Sequence, residues 1–381
     1  MKKAILHFTL AGSALLAVAA CNNSTSTSST TTSATDSTKV VAKADSGDKK
    51  ALKPQGPKPD WAPQIHDEMA VVMEKLAALG GKPIETLTPA EARQQPTPTD
   101  AVMAVMKEHN IPMPAPQCDT MGKDIPGGSG AMIHTRIYTP KGAGESNPVI
   151  VYYHGGGWVI ATNDVYNASA MALCEQTGAV VISIEYRKAP EAKFPAAHMD
   201  AFAAYEWAVK NAASIKGDVK KIAVVGESAG GNMACNVSIM ARDKKMPLPV
   251  YQALIYPVAQ NNMATPSYSK NAMAKPLNKA MMEWFTKQYL ASMAQSSDPR
   301  ISLVNAKLDG LPPTTIITAE IDPLHDDGQM LADKLKAAGV TVNYKNYDGV
   351  THEFFGMATV VPEAKDAQGV VAADLKKAFG K

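Results

Sequence analysis

The chain has 381 residues, of which 45% are hydrophobic and 19% charged, with 26 glycines and 26 prolines. This composition excludes an intrinsically disordered chain, and without a segment recurring at a fixed period it also excludes collagen, a coiled coil and a solenoid. The formal net charge is +2, so the chain has no overall field that would attract nucleic acid or an anionic membrane.

The first twenty residues have the pattern of an export signal. Two lysines follow the first methionine, and segment 4–20 is almost wholly apolar. A permanent membrane span needs about 20 apolar residues, so a removed signal peptide fits better. The ending Val18-Ala19-Ala20-Cys21 resembles the lipobox of bacterial lipoproteins. It predicts cleavage before Cys21 and acylation of its thiol, with an ordinary secretory signal as the alternative.

Residues 21–60 are predicted to form a disordered tether. Only two of the fifteen residues from Ser24 to Thr38 are not Ser or Thr, and segment 53–59 is rich in proline. Such a sequence cannot bury a core. We therefore expect a protein held in a bacterial cell envelope by a lipid on Cys21, with a folded domain over 61–381.

Three cysteines remain if Cys21 is lipidated: Cys118, Cys174 and Cys235. An odd number allows at most one disulfide in an exported protein. Cys174 and Cys235 lie in apolar helical stretches, where buried free thiols are common. We expect no catalytic cysteine and no organising role for cysteines in the fold.

The folded part is predicted to begin with helices and to continue with strands that alternate with helices. Apolar residues recur at helical spacing from Ile65 to Leu79, and a short helix is expected over 101–108. The alternation that follows predicts an α/β fold, with a mostly parallel central sheet flanked by helices. Candidate strands cover 132–138, 149–153, 180–186, 222–225, 252–256, 314–319 and 342–347.

The strongest chemical pattern is Gly226-Glu227-Ser228-Ala229-Gly230. It directly follows an apolar strand and precedes a helix-like run over 232–242. In this context G-x-S-x-G is typical of a nucleophile elbow, because glycines permit the tight strand-to-helix turn that raises the serine above the sheet. Ser228 is the predicted nucleophile, and a simple tight turn is the alternative.

A serine nucleophile needs a base and a carboxylate to orient that base. Asp322 follows the strand 314–319, and His352 follows the strand 342–347. Three other carboxylates compete with Asp322 for the acid role: Glu320, Asp326 and Asp327. His352-Glu353 also begins an H-E-x-x-H pattern, but position 356 is glycine, so a zinc site is not expected.

A glycine-rich segment, His154-Gly155-Gly156-Gly157-Trp158, follows the strand 149–153. Its unobstructed backbone N–H groups suit the negative oxygen of a tetrahedral intermediate. Gly156 and Gly157, together with Ala229 beside the nucleophile, are the predicted oxyanion donors. A flexible or phosphate-binding loop is the alternative.

Together with the elbow, these segments resemble the bacterial hormone-sensitive-lipase-like esterases, known as family IV of the lipolytic enzymes. Further marks are Tyr186-Arg187-Lys188-Ala189-Pro190-Glu191, Tyr256-Pro257 and Asp322-Pro323-Leu324. The resemblance implies an α/β-hydrolase fold, a Ser228–His352–Asp322 triad, and a small helical cap from about 61–110 and 261–297. Three positions depart from the family pattern: Glu353 stands where glycine usually follows the histidine, Glu227 where aspartate is more frequent, and Ala161 where glycine is usual.

The sequence therefore predicts a cofactor-independent carboxylic ester hydrolase acting on small-molecule esters with short to medium acyl chains. A serine peptidase or amidase of the same fold is the first alternative, and a non-catalytic binding lipoprotein is the second. The resemblance also implies a possible homodimer through a sheet edge. Methionines are frequent in the two cap segments, and we expect most of them to be core rather than pocket residues.

Overall fold

The computed structural model describes residues 52–381. The predicted signal peptide, Cys21 and most of the predicted tether lie outside the described residues. Residues 52–60 are predicted to belong to the tether, but the structure attaches them to the first helix. The backbone N–H groups of Gln55 and Gly56 each donate to the Glu74 carboxylate at 2.8 Å. Lys53 forms an ion pair with Asp67 at 3.2 Å.

Within the described residues, three α-helices precede the sheet: α1 (Asp67–Ala78), α2 (Pro89–Ala92) and α3 (Pro98–Glu108). Sequence patterning predicted α1 and α3, the latter starting three residues later than observed. Proline at the first position and a capping box explain this earlier start, because the Thr97 side chain accepts from Asp100 N–H and the Asp100 carboxylate accepts from Thr97 N–H.

Eight strands form one sheet in the order β1-β2-β4-β3-β5-β6-β7-β8. The pairs β1–β2 and β2–β4 are antiparallel, and all other neighbours are parallel. Their bounds are β1 (Cys118–Pro126), β2 (Met132–Pro140), β3 (Asn147–Tyr153), β4 (Val180–Glu185), β5 (Gly217–Glu227), β6 (Gln252–Ile255), β7 (Thr314–Ile321) and β8 (Val342–Thr351). The mostly parallel sheet of the prediction is thereby confirmed.

Strand β1 is absent from the sequence prediction. It is an edge strand whose residues are exposed except for Cys118 and Ile125. Such a strand lacks the apolar run or alternation by which a strand is recognised. Only its pairing with β2 makes it a strand.

Helices cover both faces of the sheet and divide the core into two apolar layers. Strands β3, β4, β6 and β7 are almost wholly buried, and so is β5 from Ile222 onward, as expected for parallel strands between helical layers. The remaining helices are α4 (Asn167–Thr177), α5 (Ala196–Asn211), α6 (Ala229–Asp243), α7 (Pro266–Lys270), α8 (Lys279–Tyr289), α9 (His325–Ala337) and α10 (Pro362–Ala378).

The cysteines correct one expectation. Cys174 on α4 is not a free thiol but forms a disulfide with Cys118 at the start of β1, with the two Cα atoms 6.8 Å apart. The bond ties the edge strand to the helix beside it. Cys235 on α6 is free and buried, and its burial raises the pKa of the thiol to about 12. A thiol with that pKa is inert at neutral pH, in agreement with a core role.

No helix within residues 52–381 is both long enough and apolar enough to cross a membrane.

Candidate active site

The predicted nucleophile stands in a sharp turn between β5 and α6. Ser228 has φ 56° and ψ −119°, a conformation that is strained for a residue with a side chain. Its N–H donates to the carbonyl of Ile255 at 2.8 Å. A Cβ atom at Gly230 would lie 1.9 Å from the carbonyl oxygen of Tyr153. Only glycine permits this approach of α6 to β3, which explains the second glycine of the motif.

Ser228, His352 and Asp322 meet at the carboxyl ends of β5, β8 and β7. Ser228 Oγ lies 3.0 Å from His352 Nε2. His352 Nδ1 lies 2.6 Å from Asp322 Oδ2. The other carboxylate oxygen of Asp322 accepts from Leu324 N–H at 2.8 Å. This chain of hydrogen bonds has the geometry in which a carboxylate orients an imidazole and the imidazole receives a serine proton.

The three competing carboxylates are bonded elsewhere. Glu320 accepts from Gly349 N–H, and Asp326 accepts from Ser267 N–H. Asp327 is buried and accepts from Ala259 N–H at 2.9 Å. Burial raises the pKa of Asp327 to about 7. Asp322 is therefore the carboxylate that contacts the predicted base.

Opposing effects set the basicity of His352. The side chain is buried, which by itself lowers the pKa of the imidazole. The charge of Asp322 and its hydrogen bond to Nδ1 act in the opposite direction, with smaller contributions from Glu353 and Glu227. The net result is a pKa of His352 above its ordinary value. A more basic imidazole is a better acceptor for the serine proton.

The glycine-rich segment lies beside the serine. Gly156 and Gly157 line the same cavity as Ser228 and have φ of 95° and 58°, which favour glycine. Among residues 52–381, no acceptor is bonded to the N–H groups of Gly156, Gly157 or Ala229. Three unpaired donors next to the nucleophile match the requirement of an oxyanion hole.

The residues that support the two motifs are buried. His154 stacks on Tyr186 with ring centroids 4.3 Å apart, and burial lowers the pKa of its imidazole to about 4. Glu227 accepts from the hydroxyls of Tyr152 and Tyr256 at 2.5 Å each. Burial raises the pKa of the Glu227 carboxyl. His154 Nδ1 also lies 2.8 Å from the carbonyl oxygen of Gly155, so both side chains are fixed by contacts next to the two motifs.

A cavity of about 620 Å³ opens above Ser228 and His352. Side chains from two stretches form its roof: residues 73–98, which include the end of α1, and residues 275–285, which include the start of α8. Three of the methionines from the predicted cap segments line it: Met73, Met281 and Met282. Met69 and Met106 are buried in the core, whereas Met103, Met273 and Met293 are exposed, so the expectation that most of these methionines are core residues is wrong. Volumes of this size are typical of small-molecule sites.

Three aromatic residues at the site were not predicted to act there. The ring of Tyr256 lies 4.5 Å from that of His352, and the hydroxyl of Tyr166 donates to Glu353 at 2.9 Å. Phe285 on α8 packs closely on Gly157: a Cβ atom added to Gly157 would lie 2.3 Å from the Phe285 ring. Only Tyr256 had a sequence signal, the Tyr-Pro pair after β6. The others depend on contacts between distant segments.

No cluster of three or more His, Cys, Asp or Glu side chains that could hold a metal ion occurs among the residues from 52 onward. The predicted chemistry requires none.

Comparison with protein families gives one match relevant to this site. A family described as alpha/beta hydrolase fold matches residues 150–356. The matched range contains the glycine-rich segment, the elbow, Asp322 and His352.

Several similar curated proteins are ester hydrolases by name. Carboxylesterase NlhH of Mycobacterium tuberculosis is 40% identical over 251 residues, covering 65% of this chain and 79% of that protein. Ethyl acetate hydrolase of Pseudomonas putida is 31% identical over 302 residues, covering 77% and 92%.

Solved structures that are similar to this chain include esterases. An esterase of the archaeon Pyrobaculum calidifontis superposes with a TM-score of 0.73 at 35% identity, covering 81% of this chain and 96% of that one. A thermostable esterase of Pseudomonas putida ECU1011 superposes with a TM-score of 0.74 at 31% identity, covering 83% and 98%.

Proposed function

This chain belongs to the family of proteins with the alpha/beta hydrolase fold, and on that premise we propose that it hydrolyses carboxylic esters through a covalent acyl-enzyme. The observation that carries the proposal is the hydrogen-bonded series Ser228–His352–Asp322 at the floor of the cavity. Carboxylesterases and esterases among the relatives support esters as the substrate class.

The geometry defines the order of proton transfers. His352 Nε2 takes the proton of Ser228 while Oγ attacks the ester carbonyl carbon. The carbonyl oxygen becomes negative and accepts hydrogen bonds from Gly156, Gly157 and Ala229 N–H. His352 then gives its proton to the departing alcohol. Water repeats the sequence on the acyl-enzyme and releases the acid, with Asp322 holding the imidazole throughout.

Cavity size and lining support substrates with short to medium acyl chains. Apolar side chains from α1, the segment around Ile84 and α8 enclose the space above Ser228. A mostly apolar cavity of about 620 Å³ accepts a small ester but limits the length of an acyl chain.

Labelling and turnover test the activity together. A fluorophosphonate should label wild-type protein on Ser228 and leave Ser228→Ala unlabelled. A series of p-nitrophenyl esters from two to twelve acyl carbons should show highest kcat/KM at eight carbons or fewer, and a matched anilide should turn over far more slowly. Equal or faster anilide turnover would instead favour the amidase alternative. The proposal would be contradicted if folded wild-type protein were not labelled and did not turn over any of the esters.

We also propose that the protein is exported and attached to a bacterial membrane by a lipid on Cys21. The support is the signal-like segment, the lipobox-like ending before Cys21 and the Ser/Thr-rich stretch after it. An acyl chain contributes about 0.8 kcal/mol per buried CH₂. Without Lys2 and Lys3 the chain has 36 basic and 36 acidic residues, so charge would add little attraction.

Detergent phase partitioning of the native host tests this attachment. Wild-type protein should enter the detergent phase, and Cys21→Ser should remain a precursor or become soluble, with unchanged kcat/KM for folded protein. Wild-type protein in the aqueous phase, with an unmodified Cys21 thiol by mass spectrometry, would rule out lipidation.

Pairing of two copies through a sheet edge remains a further proposal from the resemblance. Strand β8 forms one edge of the sheet, and residues such as Asn343 are exposed there. Sedimentation of the purified protein distinguishes a dimer from a monomer.

A further inference from the structure

Glu353, the residue after the predicted base, has an unusual backbone conformation. Its φ of 66° and ψ of 8° lie in the left-handed region, which favours glycine over any residue with a side chain. Glutamate at such a position keeps a carboxyl group at the site despite the strain. Strained backbone of this kind clusters at functional sites.

The Glu353 side chain lies at the wall of the cavity, next in sequence to His352. It lines the cavity together with Ser228 and His352. The hydroxyl of Tyr166 donates to Glu353 Oε1 at 2.9 Å, and Tyr166 is itself buried. A Cβ at Gly155 would lie only 2.2 Å from the Tyr166 hydroxyl. Tyr166 therefore connects the glycine-rich loop to Glu353 and fixes the position of the carboxyl group.

Several other ionisable groups surround His352. Asp322 accepts from its Nδ1, Tyr256 packs on its ring, and Glu227 lies below, bonded to Tyr152 and Tyr256. Of the three carboxyl groups Asp322, Glu227 and Glu353, Glu353 is the one that lines the cavity. Its partner Tyr166 donates a hydrogen bond, which favours the ionised carboxylate over the neutral acid.

We propose that Glu353 is a positioning residue for the reaction: its carboxylate, held by Tyr166, stabilises the positively charged imidazolium that His352 becomes when it takes the serine proton. This role rests on the proposed esterase activity. It predicts two linked effects of removing the charge. The transition state becomes less stable, so the rate falls, and free His352 becomes easier to deprotonate, so the acid limb of the pH profile moves to lower pH.

The charges of Asp322, Glu353 and Glu227 raise the pKa of His352 against the effect of burial. The pKa of Glu353 is itself raised, because burial and the charge of Asp322 outweigh the lowering by His352 and by the Tyr166 hydroxyl. The proposed role requires the ionised form, which the contacts with His352 and Tyr166 favour.

The test is the pH dependence of kcat/KM for p-nitrophenyl butyrate. In Glu353→Gln the acid limb should move down by about 0.5 to 1 pH unit, and the plateau should fall roughly threefold to tenfold. Glu353→Asp should restore the wild-type acid limb, because it restores the charge. Tyr166→Phe should shift the limb in the same direction by a smaller amount.

Two further variants separate charge from structure. Glu353→Gly relieves the left-handed strain, so its melting temperature should equal or exceed that of wild type while its acid limb still moves down. Glu85→Gln removes another carboxylate that lines the cavity, one that accepts from Asn278, and should leave the acid limb in place. Superimposable acid limbs for Glu353→Gln and active wild type would overturn the inference. Absence of ester turnover in wild type would instead contradict the proposed function.

Discussion

The floor and the roof of the cavity are built in different ways. At the floor, Ser228, Asp322 and His352 are held by backbone geometry at the carboxyl ends of parallel strands, and the hydrogen bonds joining them are 2.6 and 3.0 Å long. In the roof, α1 and α8 contribute side chains such as Met73 and Met282, which enclose space without a fixed hydrogen-bond pattern.

This contrast separates chemistry from substrate range. Substitution of Ser228, Asp322 or His352 at the floor removes an atom that reacts or that orients a reacting group. Apolar side chains in the roof can be replaced by others of similar volume with a small loss of stability. Methionine side chains are flexible and adapt to substrates of different shape. We expect substitutions at the floor to affect the rate for every ester, and substitutions in the roof to change the preference among esters.

The largest effect is expected at the nucleophile and base. Ser228→Ala and His352→Ala should each lower kcat by a factor on the order of 10⁴ to 10⁶, because the two residues act as a unit. The double variant should be hardly slower than either single variant. Steady-state kinetics measures kcat of each variant, and circular dichroism shows that the variant is folded. More than a few percent residual activity in Ser228→Ala would refute its role.

Asp322→Asn should lower kcat by roughly 10⁴, since an amide favours the wrong tautomer of His352. Asp326→Asn is the matched control, because Asp326 bonds to Ser267 rather than to His352, and it should keep most of the activity. A similar loss of activity in both variants would mean that Asp322 is not the carboxylate that orients His352.

A smaller effect is expected at the oxyanion loop. Gly156→Ala places a Cβ 2.4 Å from the Ile160 carbonyl oxygen at φ 95°, so the loop must shift and its donors move. The rate should fall by roughly 10² to 10³. Gly144→Ala, where no atom lies within 4 Å of the added Cβ, should have wild-type activity. Near-normal turnover in Gly156→Ala would argue against this loop as the oxyanion hole.

The pH dependence probes the floor in the wild-type protein. Only the neutral imidazole accepts the serine proton, and the pKa of His352 is raised, so kcat/KM should increase with pH through a midpoint above about 6.5. Below this midpoint the rate should fall about tenfold per pH unit. Chelators should have no effect. A flat profile from pH 5 to 8, or inactivation by EDTA, would exclude the mechanism.

The smallest effect is expected in the roof. Met282→Ala enlarges the cavity, so kcat/KM for esters of ten or twelve acyl carbons should rise roughly threefold relative to butyrate, with an unfolding free energy lower by about 2 kcal/mol. Met103→Ala is the control, because Met103 is 46% exposed and does not line the cavity. Equal chain-length profiles for wild type and Met282→Ala would place the length limit elsewhere.

Much of the floor is readable in the sequence because its signals are local. The elbow is five residues between a strand and a helix, and the glycine-rich segment directly follows β3. Apolar runs or apolar–polar alternation likewise predicted the other seven strands, β2 to β8. Edge strand β1 carries no such run and was missed, since its definition comes from pairing with β2.

The sequence by itself determined which reacting groups are present and their order along the chain, since each motif is encoded by neighbouring residues. Tertiary structure decided which groups meet. His352 reaches Ser228 across 124 positions, and it bonds to Asp322 rather than to Glu320, Asp326 or Asp327. Cys174 pairs with Cys118 across 56 positions, and Tyr166 meets Glu353 across 187. Such contacts depend on the path of every strand and helix between the partners, so no local pattern encodes them.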